Sequence, residues 1–69
     1  MTKREIEERL LREPFEPFLV NVSDGKHYEI TNPRLAVAMD TRLFIALPAN
    51  RWTLIALRQV TSLEDAQAA

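Results

Sequence analysis

The sequence predicts a mainly β (α+β) domain in which one N-terminal helix precedes a strongly bent, five-stranded antiparallel sheet curled into a small barrel. Three observations carry this expectation. A helix-starting pattern, Thr2-x-x-Glu5, opens the chain, and Pro14 limits the stretch behind it. Short apolar runs then recur between turn-forming clusters as far as Leu63. Two of those runs, residues 43–47 and 54–57, are apolar at every position, whereas an open sheet wetted on one face needs apolar residues only at alternate ones. Closure of the sheet on itself, an outer face that serves as an interface, or both together account for the surplus.

Composition sets the frame. At 69 residues with a 46% apolar fraction, the chain is one folded domain near the lower size limit for a core without staples. It has no cysteine, so neither a disulfide nor a thiolate metal site supports it. A core of this size supplies on the order of 3–5 kcal/mol, which makes self-association a natural supplement. No apolar run approaches a membrane span, and the charged opening MTKREIEERL is unlike a signal segment; the expected setting is cytoplasmic. The net charge is −1. Residues 17–63 carry Lys26, Arg34, Arg42, Arg51 and Arg58 against Asp24, Glu29 and Asp40, too slight an excess for general nucleic-acid binding, which needs many phosphate contacts.

The helix is expected over about residues 3–13. Thr2 and Glu5 form a capping box, Met1 and Ile6 a hydrophobic staple, Ile6, Leu10 and Leu11 an apolar side, and Glu5 with Arg9 a helix-spaced ion pair. In PFEPF, Pro14 and Pro17 stiffen the link, while Phe15 and Phe18 fasten the helix to the body. The strands lie within residues 17–64. The single glycine sits in NVSDGKHYEI. A two-residue Asp24-Gly25 turn would set Val22 opposite His27 and break the apolar face. A three-residue loop over Ser23, Asp24 and Gly25 sets Val20 opposite Tyr28 and Phe18 opposite Ile30, so that register is expected, with Gly25 at positive φ. As a phosphate cradle the segment lacks a second glycine, a following helix and a lysine–hydroxyl pair. TNPR at 31–34 bends the chain; LAVAM, LFIAL, WTLIAL and VTSLE read as strands, with turns at Asp40–Arg42 and Pro48–Arg51 and a tight corner at Arg58-Gln59. If residues 26–30 and 35–39 are separate strands, the count becomes six. Residues 65–69 are expected to be a disordered tail.

This order of helix, strand pair turned at SDGK, short-turn strands and a last pair joined at a corner resembles the Sm-like barrel, an SH3-type fold, over roughly residues 3–64. Val20, Val22, Asp24 and Gly25 match its first strand and polar-glycine turn. The resemblance implies a small barrel that assembles through its strand edges. Where the bacterial Sm-like RNA chaperones have Tyr-Lys-His ahead of the last strand, this chain has Ala56, Leu57 and Arg58, so the RNA motif is not retained. Asn50 is the loose counterpart of the base-reading asparagine of other Sm-like proteins. The stretch PFEPFLVNVSDGKHYEI is also similar to short uncharacterised bacterial proteins of planctomycete type that share P-F-x-P-F, S-D-G and Y-E.

Chemistry is sparse. The one histidine, His27, has Asp24 as a prospective orienting acid but is expected to point away from the core beside Asn21. Neither a catalytic residue, nor a cofactor, nor a metal site is expected. Trp52 is either a plug at a barrel end or, with Arg51, Arg58 and Asn50, a candidate set for binding RNA or another partner. Arg34, Arg42, Arg51 and Arg58 lie at or beside turns, where they are solvated or ring one end of the barrel. The expected function is a non-catalytic interaction module that self-assembles as a dimer or ring. The alternatives are a small RNA-binding protein and an accessory subunit of a larger protein.

Overall fold

The structure, a computed structural model, describes residues 1–66. In chain order the elements are α1 (Lys3–Leu10), β1 (Phe18–Val22), β2 (His27–Ile30), a 3₁₀ turn at Pro33–Leu35, β3 (Ala36–Ala38), β4 (Arg42–Leu47), β5 (Arg51–Ala56), a second 3₁₀ turn at Leu57–Gln59, and β6 (Val60–Asp65).

The capping box forms as expected: the Glu5 amide donates to Thr2 Oγ1 at 3.3 Å, and the Thr2 amide donates to Glu5 Oε1 at 3.2 Å. The helix stops at Leu10, short of residue 13, and Leu11 closes it by donating its amide to the Glu7 carbonyl at 2.9 Å. Leu11 is not on the buried stripe. Ile6 and Leu10 lie ~40° apart around the helix and are buried, whereas Leu11 stands ~140° from Ile6 at 100° per residue and is 75% exposed. The expected Glu5–Arg9 pair gives way to the cap, which engages the glutamate. Arg9 instead reaches Asp65 Oδ1 at 2.7 Å and lays its guanidinium 5.0 Å from the centroid of Phe18. Phe15 meets Phe18 edge-on at 6.2 Å, so the two phenylalanines do fasten this corner.

The strands form two three-stranded antiparallel sheets, ordered β2-β1-β6 and β3-β4-β5. This corrects the expected five-stranded sheet closed into a barrel. Residues 26–30 and 35–39 contribute separate strands, one to each sheet, because the chain turns between them. Asn32 caps the 3₁₀ turn by accepting from the Arg34 amide at 2.9 Å, and Pro33 has no amide hydrogen to continue a ladder. In the first sheet the register is Phe18 to Ile30, Val20 to Tyr28 and Asn21 to His27, that of the three-residue loop. Gly25 has φ +90 and donates to the Val22 carbonyl at 2.9 Å. β6 runs through Asp65, and Ala66 donates to the Pro17 carbonyl at 3.1 Å. The sheet thus extends past Glu64; the remainder of the expected tail, 67–69, lies outside the described residues.

Both sheets point alternate residues into one core. Phe18, Val20 and Ile30 come from the first, Leu43, Ile45 and Ile55 from the second, and Ile6 and Leu10 from the helix. No buried side chain among these is polar or charged. Burial of apolar area is therefore the dominant internal support.

Candidate functional site

Strand alternation in the second sheet sorts its side chains. Leu43, Ile45 and Ile55 face the core, which sends Phe44, Ala46, Trp52 and Leu54 to the other side. In β3, Ala36 is buried while Val37 points out. The register sets Val37, Phe44 and Leu54 in one row across the three strands, with Ala46 opposite Trp52 in the next. Met39 continues the β3 face, its amide donating to the Arg42 carbonyl at 2.8 Å. Phe44 and Trp52 stack diagonally, ring centroids 5.8 Å apart and planes at 26°. Val37, Met39, Trp52 and Leu54 stay 55%, 39%, 62% and 41% exposed. A groove between α1 and β3, lined by Leu10, Leu11, Pro33 and Val37, carries the apolar surface on to the helix.

This surface was half legible. The doubly apolar runs 43–47 and 54–57 admit either a closed sheet or an outer face that serves as an interface, and the structure turns their Phe44, Ala46 and Leu54 outward. Val37 and Met39 share the period-two spacing of LAVAM, but nothing in that run tells its wet side from its dry one. Leu11, apolar and next to the stripe in sequence, falls at the helix C-cap and stays exposed.

The set Asn50, Arg51, Trp52 and Arg58 is not brought together. Trp52 does not plug an end of the fold; it lies on the outer face of β5. Arg51 precedes it and alternates to the opposite side. Asn50 sits in the turn before β5 with φ +60. Arg58 stands beyond the other end of the strand, where it lines a cleft with Met1, Asp40, Thr41 and Arg42. From Trp52 to Ala56 alone the strand rises ~13 Å. Of the four arginines near turns, Arg42 and Arg58 therefore share one cleft while Arg51 is at the far end of β5. Asp40, the one acid of residues 33–59, lies 3.6 Å from Lys3.

His27 is exposed on β2 opposite Asn21. Asp24 does not orient it: its Oδ1 accepts the Lys26 amide at 2.9 Å and so completes the turn. Nothing lies within 4 Å of where a Cβ on Gly25 would stand, and the segment is a solvent-facing turn. Among the described residues no group of three or more His, Cys, Asp or Glu converges to hold a metal ion, and no helix is long and apolar enough to cross a membrane. Asn21 Nδ2, on the outer face of the first sheet, donates to Ser62 Oγ at 3.0 Å and to Glu64, so that face is polar and internally paired.

Comparison with known protein families, with curated proteins and with solved structures finds no match for this chain.

Proposed function

We propose that the protein is a non-catalytic, cytoplasmic interaction module, two three-stranded sheets and a capping helix in an SH3/Sm-like order, that associates with itself through the outer face of its second sheet and the strand edges beside it. The observation that carries this is the joint exposure of Val37, Met39, Trp52 and Leu54 on one sheet face, since contiguous apolar surface of this kind marks interaction sites. Three features support the SH3/Sm-like order: β1 pairs with both β2 and β6, the chain turns between β2 and β3, and a 3₁₀ corner links β5 to β6. The separation of Arg51, Trp52 and Arg58 favours protein over RNA as the partner, because base stacking and phosphate contacts have to fall along one strand path.

Size-exclusion chromatography with light scattering, run with and without a short uridine-rich RNA, tests this. The expected mass is a multiple of 8.0 kDa that RNA does not change. A strict monomer at high micromolar concentration contradicts self-association and moves the open face to a larger partner protein, whereas added RNA mass returns the case to nucleic acid.

A further inference from the structure

Among the described residues the exposed large apolar side chains are Leu11, Val37, Met39, Trp52 and Leu54. Four lie on the outer face of the second sheet, and Leu11 adjoins it across the groove it shares with Val37. The outer face of the first sheet offers no counterpart: it presents Leu19, half-buried, between Glu29 and Glu64, with Asn21, His27 and Ser62 beside it. A second copy that covers the apolar surface with apolar surface therefore has one place to supply it from, the same patch. A patch that meets itself is an isologous contact, and such a contact closes at two copies instead of growing into a ring or fibre.

Building on the self-associating module proposed above, we infer that two copies pack the outer faces of their β3-β4-β5 sheets against each other about a two-fold axis. Two twisted sheets stacked face to face interdigitate their side chains in a layer about 10 Å thick, and the Phe44–Trp52 stack supplies the aromatic centre around which such contacts are strongest. At the exposures of Val37, Met39, Trp52 and Leu54, with Leu11 adjoining at the helix end, on the order of 500 Å² of residue surface stays in water per copy, a large part of the roughly 800 Å² that each partner gives to a standard interface.

The charges around the patch fix a signature. Arg51 alternates to the other side of β5, Arg58 lines the cleft beyond its end, and Glu7 lines the groove at the helix edge, so Arg42 is the one charged side chain on the sheet face. Arg42 belongs to the face itself, opposite Ala56. Two such faces meet with like charge, so salt relieves a repulsion and tightens the dimer. Docking of this face through Arg42 onto the acidic first sheet of a neighbour, or onto an acidic partner, has the opposite dependence on salt.

Sedimentation equilibrium of the full chain at low and high sodium chloride (about 0.01 and 0.5 M, spanning Debye lengths well above and below the width of the contact layer) reads these properties together. The expected result is a dimer whose Kd falls several-fold at high salt. The Arg42→Gln variant associates more tightly than the parent at low salt, and Glu29→Lys with Glu64→Lys leaves the dimer intact. Leu54→Arg and, independently, Trp52→Lys give folded monomers by circular dichroism. Masses beyond two copies, weakening with salt, or dissociation caused by the Glu29 and Glu64 changes overturn the two-fold pairing while leaving self-association standing. A parent chain that stays monomeric at both salt concentrations overturns both.

Discussion

Gly25 and Ala49 both occupy the left-handed region, at φ +90 and φ +62, yet only the glycine suits it. An L side chain there costs about 1 kcal/mol or somewhat more. Because nothing lies within 4 Å of a Cβ on Gly25, Gly25→Ala is predicted to destabilise by about 1 kcal/mol from backbone strain alone, read as a lower urea midpoint at unchanged slope. The complementary change Ala49→Gly relieves strain but loosens the unfolded chain, so a net gain of a few tenths to ~1 kcal/mol is expected; a loss of stability in the same titration contradicts it. His27→Ala on the exposed edge of β2 is expected to stay within about 0.5 kcal/mol and to leave self-association unchanged. The Ser-Asp-Gly turn was legible because the apolar register admits one loop length. The left-handed Ala49 was not, since alanine carries no preference for that region and only Asn50 beside it hints at a primed turn.

Arg9 shows what joins the elements. Its side chain is 17% exposed, its guanidinium lies over the Phe18 ring, and it meets Asp65 across 56 residues of chain. Asp65 itself is 66% exposed, so solvent screens the ion pair and most of the contribution is packing and cation–π contact. Arg9→Ala is therefore predicted to cost about 1–2 kcal/mol, and Asp65→Asn less than about 0.5 kcal/mol, both read by thermal or urea denaturation; an equal cost for the two assigns the energy to the ion pair instead. Thr2→Ala removes the cap and is expected to cost about 1 kcal/mol. Helical spacing suggested Glu5 as the partner of Arg9, and the capping box visible in the same residues was the competing claim on that glutamate. The Asp65 contact was illegible, because its separation in sequence carries no local pattern. Leu11 shows the same limit at the helix end: once the helix stops at Leu10, an apolar residue off the stripe is left at the surface.

At the scale of the molecule, the strands were legible from their composition and their assignment to sheets was not. Each run announces itself by β-branched and aromatic residues between turn formers. Whether β2 and β3 are one bent strand or two depends on how sharply Asn32 and Pro33 turn the chain, and the answer divides the fold into two three-stranded sheets. The surplus of apolar residues in 43–47 and 54–57 was the clearest functional signal in the chain. The structure places it, with Val37 and Met39, on one outer face and leaves it uncovered. If association buries that face, the melting temperature rises with protein concentration, since the folded state alone is bound. The most direct measurement uses Trp52, the only tryptophan in the chain and 62% exposed at the centre of the question. Its fluorescence and acrylamide quenching are followed through a dilution series. Burial of the face by a second copy predicts blue-shifted, protected emission at high concentration that moves to the red and becomes quenchable on dilution. Emission as exposed at the highest concentration as at the lowest contradicts the account.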